Sequence, residues 1–222
     1  MKNFINNPAE IEQFQKHIAE RLALSVNQDN ENLDTLLKKV NVAIENPDRV
    51  LPCDFIAFES STLLNLLQYS HKYYLLRSLP EIELGLNKLA QLNFGRGYNA
   101  RHLFYLKAFE KYQAHLEAHI NYEERYVFPY INCLIKGQNQ IDQLSPHFSS
   151  LADFYINHTD TEKDLEAIME LLENELIEHQ ENIVRLVLQK MKTLHLDLYV
   201  HGKIEEEVLI PRMIRLENEV EL

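Results

Sequence analysis

Two stretches of the chain repeat one arrangement of an imidazole, a carboxylate and a proline. The first reads His119-Ile-Asn-Tyr-Glu123-Glu124 and runs on to Val127-Phe128-Pro129. The second reads His201-Gly-Lys-Ile-Glu205-Glu206 and runs on to Leu209-Ile210-Pro211. In each, Glu follows His by four residues and Pro follows it by ten. Residues four apart on an α-helix share a face, one turn apart, so each stretch can aim both side chains at one point. Imidazole nitrogens and carboxylate oxygens are ligands for transition-metal ions, and carboxylates can bridge two cations while offsetting their charge. Two such helices facing each other supply the side chains of a two-metal site.

Two further histidines, His71 and His158, lie on apolar stripes of their own. Each of four long predicted helices then carries one His on its apolar face (His71, His119, His158 and His201), and the second and fourth add Glu123 and Glu205. A single His on such a face is more often an ordinary hydrogen-bonded core residue than a ligand. Four in register, two with Glu one turn on, are another matter, because burying those imidazoles and carboxylates without a cation is costly. This donor set suits a pair of iron ions and leaves coordination positions for an oxo or hydroxo bridge, water, O2 or NO. His158 is also followed four residues later by an acid, Glu162, but no Pro stands at the tenth position, and Glu162 reads as a solvated acid.

The elements that must position these residues are helices. Five Gly and seven Pro among 222 residues are few, which favours long helices over a turn-rich β architecture. The apolar spacing predicts a helix from Ser60 or Thr62 through His71, continuing past Pro80 with a kink toward Leu89, with Leu84 on the apolar face. A second runs over about 99–135, with Leu103, Leu106, Phe109 and His119 inward, after a break at Phe94-Gly95-Arg96-Gly97 and before a stop at Lys136-Gly137. A third covers about 144–172, a junction follows within 173–178, and a fourth covers about 178–218, past Leu186 and His201. Long helices with short breaks argue an antiparallel four-helix bundle over residues 59–222. Residues 1–58 read as a helical N-terminal extension outside it, with Pro47 and Pro52 in a linker.

Composition narrows the function classes. The formal net charge of −12 argues against nucleic acid and anionic membrane as partners, since a phosphate surface wants a basic face. Cys53 and Cys133 form neither a disulfide framework nor a Cys-x-x-Cys pair, which fits a reducing cytosol. No apolar stretch approaches the ~20 residues of a membrane span. The polar N-terminus is unlike a signal peptide, so a cytoplasmic location is expected.

Ferritin-like bundles use Glu-x-x-His, and none of the ten histidines has Glu at that position. The reversed order, with His71, His119-x-x-x-Glu123, His158 and His201-x-x-x-Glu205 and a Pro trailing each pair, resembles the hemerythrin-like (HHE cation-binding) proteins over residues 60–215. Leu79-Pro80-Glu81 also looks like a family feature. Oxygen-carrying hemerythrins have a His-x-x-x-His pair on the third helix and His-x-x-x-x-Asp on the fourth. Here Glu162 stands where the second His of that pair would fall, and Glu205 keeps the four-residue spacing. The chain is most similar to the RIC family (repair of iron centres).

That resemblance implies two non-haem iron ions, oxo- or hydroxo-bridged. His71 and His201 would bind one iron, His119 and His158 the other, and Glu123 and Glu205 would bridge. It implies a cytoplasmic protein of the nitrosative and oxidative stress response that repairs damaged iron–sulfur centres by donating iron, with NO or O2 and iron–sulfur client proteins as partners. A homodimer is compatible with it. Two other readings stay open: an O2- or NO-binding or sensing protein, and a di-iron NO or peroxide reductase. The N-terminal Cys-Cys-Gly-Gly of full-length members is missing, since residues 1–58 contain only Cys53. An additional His of the family on the first long helix is also missing, the chain reading Gln91-Leu92-Asn93 there.

The remaining candidates receive plainer assignments. His115 and His195 read as partly exposed helix histidines, with a supporting role near the site or the gating of a channel as the alternative, and His102 sits on the second helix with His119. His17, His147 and His179 read as surface residues. Tyr74, Tyr122, Tyr126 and Tyr155 read as core aromatics near the ligands, with hydrogen bonding to a bound ligand as the alternative. Glu124 and Glu206 are expected to turn about 100° away from the ligands, toward solvent, with hydrogen bonds that support the ligands as the alternative.

Overall fold

The computed structural model describes residues 35–36, 39, 52–92, 96–137, 150–157, 162–179 and 182–220. The protein is helical, with no strand among the described residues. A 3-10 turn, Pro52–Asp54, leads into α1 (Ser60–Tyr73). A π-turn, Tyr74–Ser78, joins α1 directly to α2 (Leu79–Gln91). Then α3 (Arg96–Tyr122), a second π-turn (Glu123–Val127) and α4 (Phe128–Ile135) form one continuous rod. The short α5 (Leu151–Asn157) and α6 (Glu162–His179) follow, and α7 (Asn182–Ile204), a third π-turn (Glu205–Leu209) and α8 (Ile210–Val220) complete the described chain.

The π-turns have one cause. Pro80, Pro129 and Pro211 each stand two residues past a π-turn. A proline inside a helix has no N–H to donate, and its ring clashes with the carbonyl four residues back. The helix widens instead of breaking. The residue before each proline bonds five residues back: Leu79 N–H to the Tyr74 carbonyl, Phe128 N–H to Glu123, Ile210 N–H to Glu205. Leu79, Phe128 and Ile210 are all fully buried, so the prolines are held by apolar packing beside them. The kink expected at Pro80 is thus a π-turn, with the helix continuing beyond it.

Packing pairs the rods side by side: α2 against α3 and α7, and α6 against α3 and α7. At Gly85 the approach of α2 to α7 is so close that an added Cβ would meet Val187 Cγ2 at 2.6 Å. Two apolar clusters fill the interior. One gathers α1, α4 and α8 with Leu36, Phe55 and Phe58; the other gathers α2, α3, α6 and most of α7. Arg212 on α8 clamps the entry to α1, its guanidinium donating to the carbonyls of Phe58 (2.8 Å) and Ile56 (2.9 Å) and to Ser60 Oγ (3.2 Å). Of the two expected starts, Ser60 is the first residue of the helix. Glu59 holds the cap position without a side-chain bond, and the Ser60 hydroxyl serves Arg212. Buried Glu217 accepts the Leu151 N–H (3.2 Å) and the Tyr130 hydroxyl, satisfying an otherwise orphaned donor at the start of α5.

Several boundaries move from the sequence reading. Arg96 and Gly97, expected in a break, open α3. The 173–178 stretch, expected as a junction, lies within α6. Leu84, Leu103 and Leu186, expected inward, are exposed. At Gly137 the expected stop is found: it takes a left-handed φ of 63°, a conformation glycine adopts without strain, and its N–H closes on the Leu134 carbonyl at 3.0 Å.

Candidate metal centre

Where the two apolar clusters meet, the interior turns polar. His71 stands in the last turn of α1, His119 in the last turn of α3, and His201 in the last turn of α7. Glu123 and Glu205 are each the first residue of the π-turn that follows. His71, Glu123, His201 and Glu205 are buried, and His119 is 22% exposed. His158 lies outside the described residues.

Glu123 stands between two imidazoles. Its Oε1 lies 2.9 Å from His119 Nε2, and its Oε2 lies 3.2 Å from His71 Nε2. The His71 and His201 rings lie 4.8 Å apart between centroids, and His201 Nε2 lies 3.3 Å from Glu205 Oε2. One ligand atom from each of His71, Glu123 and His201 falls within 4.8 Å of the others. This group could hold a metal ion. The donors suit one: imidazole nitrogen and carboxylate oxygen bind divalent first-row metals, and two buried carboxylates are stabilised by a cation among them.

Glu124 corrects the sequence reading. It is half-turned to the interior and accepts from His71 Nδ1–H at 2.9 Å, while Gln68 Nε2 donates to its other oxygen at 3.3 Å. The π-turn explains this. Its wider winding turns successive residues through less than an α-helix would, so neighbouring Glu123 and Glu124 both reach the His71 ring, one at each nitrogen. A carboxylate on the far nitrogen fixes ring orientation and directs Nε2 to the centre. Phe128 stacks on the other side of that ring, 5.1 Å between centroids. The sequence signal was the Pro six residues after Glu123, read as part of the repeated motif without its effect on the winding.

Burial works against a charge on the His71 imidazole. Hydrogen bonds to Glu123 and Glu124, with the charges of Glu123 and Glu205, outweigh it and raise its pKa to about 9. In the metal-free protein at neutral pH this ring carries a proton that an incoming metal must displace.

Neither family models, nor curated proteins, nor solved structures show a match to this chain. The site therefore rests on its own residues.

His195, read as partly exposed, is buried, and so is His102. His102 pairs with buried Glu175, and His195 Nε2 lies 3.0 Å from Glu166 Oε1. His115 is exposed, 3.8 Å from Asp164, as a surface residue would be. Tyr155 is exposed as well, while Tyr74 is fully buried and donates to Asp197 Oδ1 at 3.1 Å. No described helix is long and apolar enough to cross a membrane.

Proposed function

We propose that the helical rods form an antiparallel four-helix bundle of the hemerythrin-like kind over residues 59–222, beside an N-terminal extension over residues 1–58, and that it holds two iron ions. His71 and His201 would bind one iron, His119 and His158 the other, with Glu123 and Glu205 shared between them. The observation that carries this reading is the placing of Glu123, one carboxylate oxygen toward His71 and the other toward His119. A carboxylate split between imidazoles from two different helices is what a bridge between two cations requires.

The function that fits best is repair of damaged iron–sulfur centres in the cytoplasm under NO or oxidant stress, with iron as the cargo delivered. The chain's own residues account for holding and releasing it. Glu124 keeps His71 Nε2 aimed inward. His71 takes up a proton as iron leaves, because its proton affinity in the emptied site is high. His119, the most open of the described ligands, marks the face through which iron passes.

The test is metal analysis and an absorption spectrum of protein purified without oxygen, followed by incubation with an NO-damaged iron–sulfur enzyme. Iron uptake, an oxo-bridge band in air and recovery of the client's activity are the expected results. Iron uptake without recovery, combined with reversible O2 or NO binding, would turn the assignment to gas binding. Catalytic turnover of NO or peroxide would turn it to a reductase.

A further inference from the structure

The three prolines set a common ruler along three helices. Six residues before Pro129 stands Glu123, and six before Pro211 stands Glu205. Six before Pro80 stands Tyr74, the first residue of its own π-turn, as each glutamate is of its own. The first rod therefore repeats the local geometry of the other two but presents a phenol where they present carboxylates.

That phenol is fully buried, its ring centroid lies 5.9 Å from the His201 ring, and its hydroxyl donates to Asp197 Oδ1 at 3.1 Å. Asp197 is itself fully buried and stands on α7 one turn before His201. A buried carboxylate is a costly group to place in an apolar interior, and here it meets a tyrosine beside the metal centre. A phenol gives up one electron readily only if its proton has somewhere to go at the same moment. Tyr74 has that acceptor within hydrogen-bond distance, and a ligand imidazole in ring contact to carry the electron.

We propose that Tyr74 is a one-electron donor to the metal centre and Asp197 its proton acceptor; this rests on the di-iron reading above. The oxidant is a peroxide. Hydrogen peroxide accepts two electrons, its O–O bond breaks, and it leaves as two hydroxide ions. A single ferrous ion held there would supply one electron, becoming ferric, and Tyr74 would supply the other. The phenolic O–H bond breaks, an O–H bond forms at Asp197 Oδ1, and a neutral phenoxyl radical remains beside a neutral carboxyl group. No hydroxyl radical, the product of one-electron reduction of peroxide, is then released. The buried pair then stores the oxidising equivalent, with the proton held at Asp197.

The test uses the full chain loaded with iron under argon and poised with one ferrous and one ferric ion. It is mixed with hydrogen peroxide, frozen, and examined by EPR. A phenoxyl signal is expected whose hyperfine pattern narrows when the protein contains ring-deuterated tyrosine. Tyr74→Phe, checked for parental iron content and helical circular dichroism, is expected to abolish it, and Asp197→Asn to lower its yield several-fold. A signal that survives in iron-loaded Tyr74→Phe overturns the proposal. So does a parent protein with a full complement of iron and no radical, or an unchanged yield in Asp197→Asn should the Phe variant fail to fold. Failure of the parent protein to take up iron sinks the di-iron reading itself, and is read from metal analysis before any peroxide is added.

Discussion

Among the described residues, histidine–carboxylate contacts with both partners buried occur in two regions, and they differ in kind. At the level of the π-turns, His71, His119 and His201 come together with Glu123 and Glu205 from three separate rods, and Glu123 is shared between two rings. Between α3 and α6, His102 meets Glu175, both buried. That second contact sets a single imidazole against a single carboxylate. At the first region two imidazoles and a carboxylate, those of His71, His201 and Glu123, converge, with His119 and Glu205 each in contact with a member of that group. Burial of a His beside an acid thus marks a packed ion pair as readily as a ligand; convergence of several is what separates the two.

The largest effect that would break this distinction concerns metal content. Glu123→Ala and His201→Ala are expected to reduce bound metal to background in elemental analysis, while His102→Ala leaves it at the parental level. Loss of metal in all three would mean that the regions are not distinct. Glu124→Gln sharpens the contrast within the site. It keeps the size of the side chain but weakens the hold on His71 Nδ1, and an about 10–100-fold loss of metal affinity is expected in a chelator competition. An unchanged affinity would show that the Glu124 contact is incidental.

At the second region the effect is on folding alone. Glu175→Ala strands a buried imidazole and is expected to lower stability by about 1–3 kcal/mol in urea unfolding, with metal content unaltered. The smallest effect is one of pH. The His71 pKa is raised from 6.5 to about 9, so its proton stabilises the metal-free fold fully below pH 6.5 and progressively less as pH rises through 9. Metal-free protein is therefore expected to lose part of its urea resistance between those values. Metal-loaded protein, whose His71 has already given up that proton, should not show this loss, and parallel curves for the two forms would count against the assignment.

Much of this was legible in the chain itself. His and Glu four apart, with apolar residues at helical spacing around them, announced both the helices and the buried face that Glu123, His201 and Glu205 share. The helical character, the α1 start near Ser60 and the stop at Gly137 followed from apolar period and glycine chemistry. What escaped was set by local winding. A fixed 100° per residue sends Glu124 to solvent, and only the π-turn ahead of Pro129 brings it back to His71. His102 and His195 escaped for a different reason. Their partners Glu175 and Glu166 lie on another helix far along the chain, and no spacing in one sequence reports such a meeting. His158 lies beyond what the described residues report.

The widened turns also change how each rod must be read. An extra residue in one turn shifts the phase of everything beyond it, by about 100° for a regular helix. So α1 and α2, or α3 and α4, are not one amphipathic stripe but two, offset at the join. The offset lets one continuous backbone serve an apolar cluster at each end, as the separate membership of α1 and α2 shows. Deleting a single residue from any of these joins would leave composition almost untouched, yet it would swing the far half of that rod out of its seat. Length at these three points is therefore constrained more tightly than residue type.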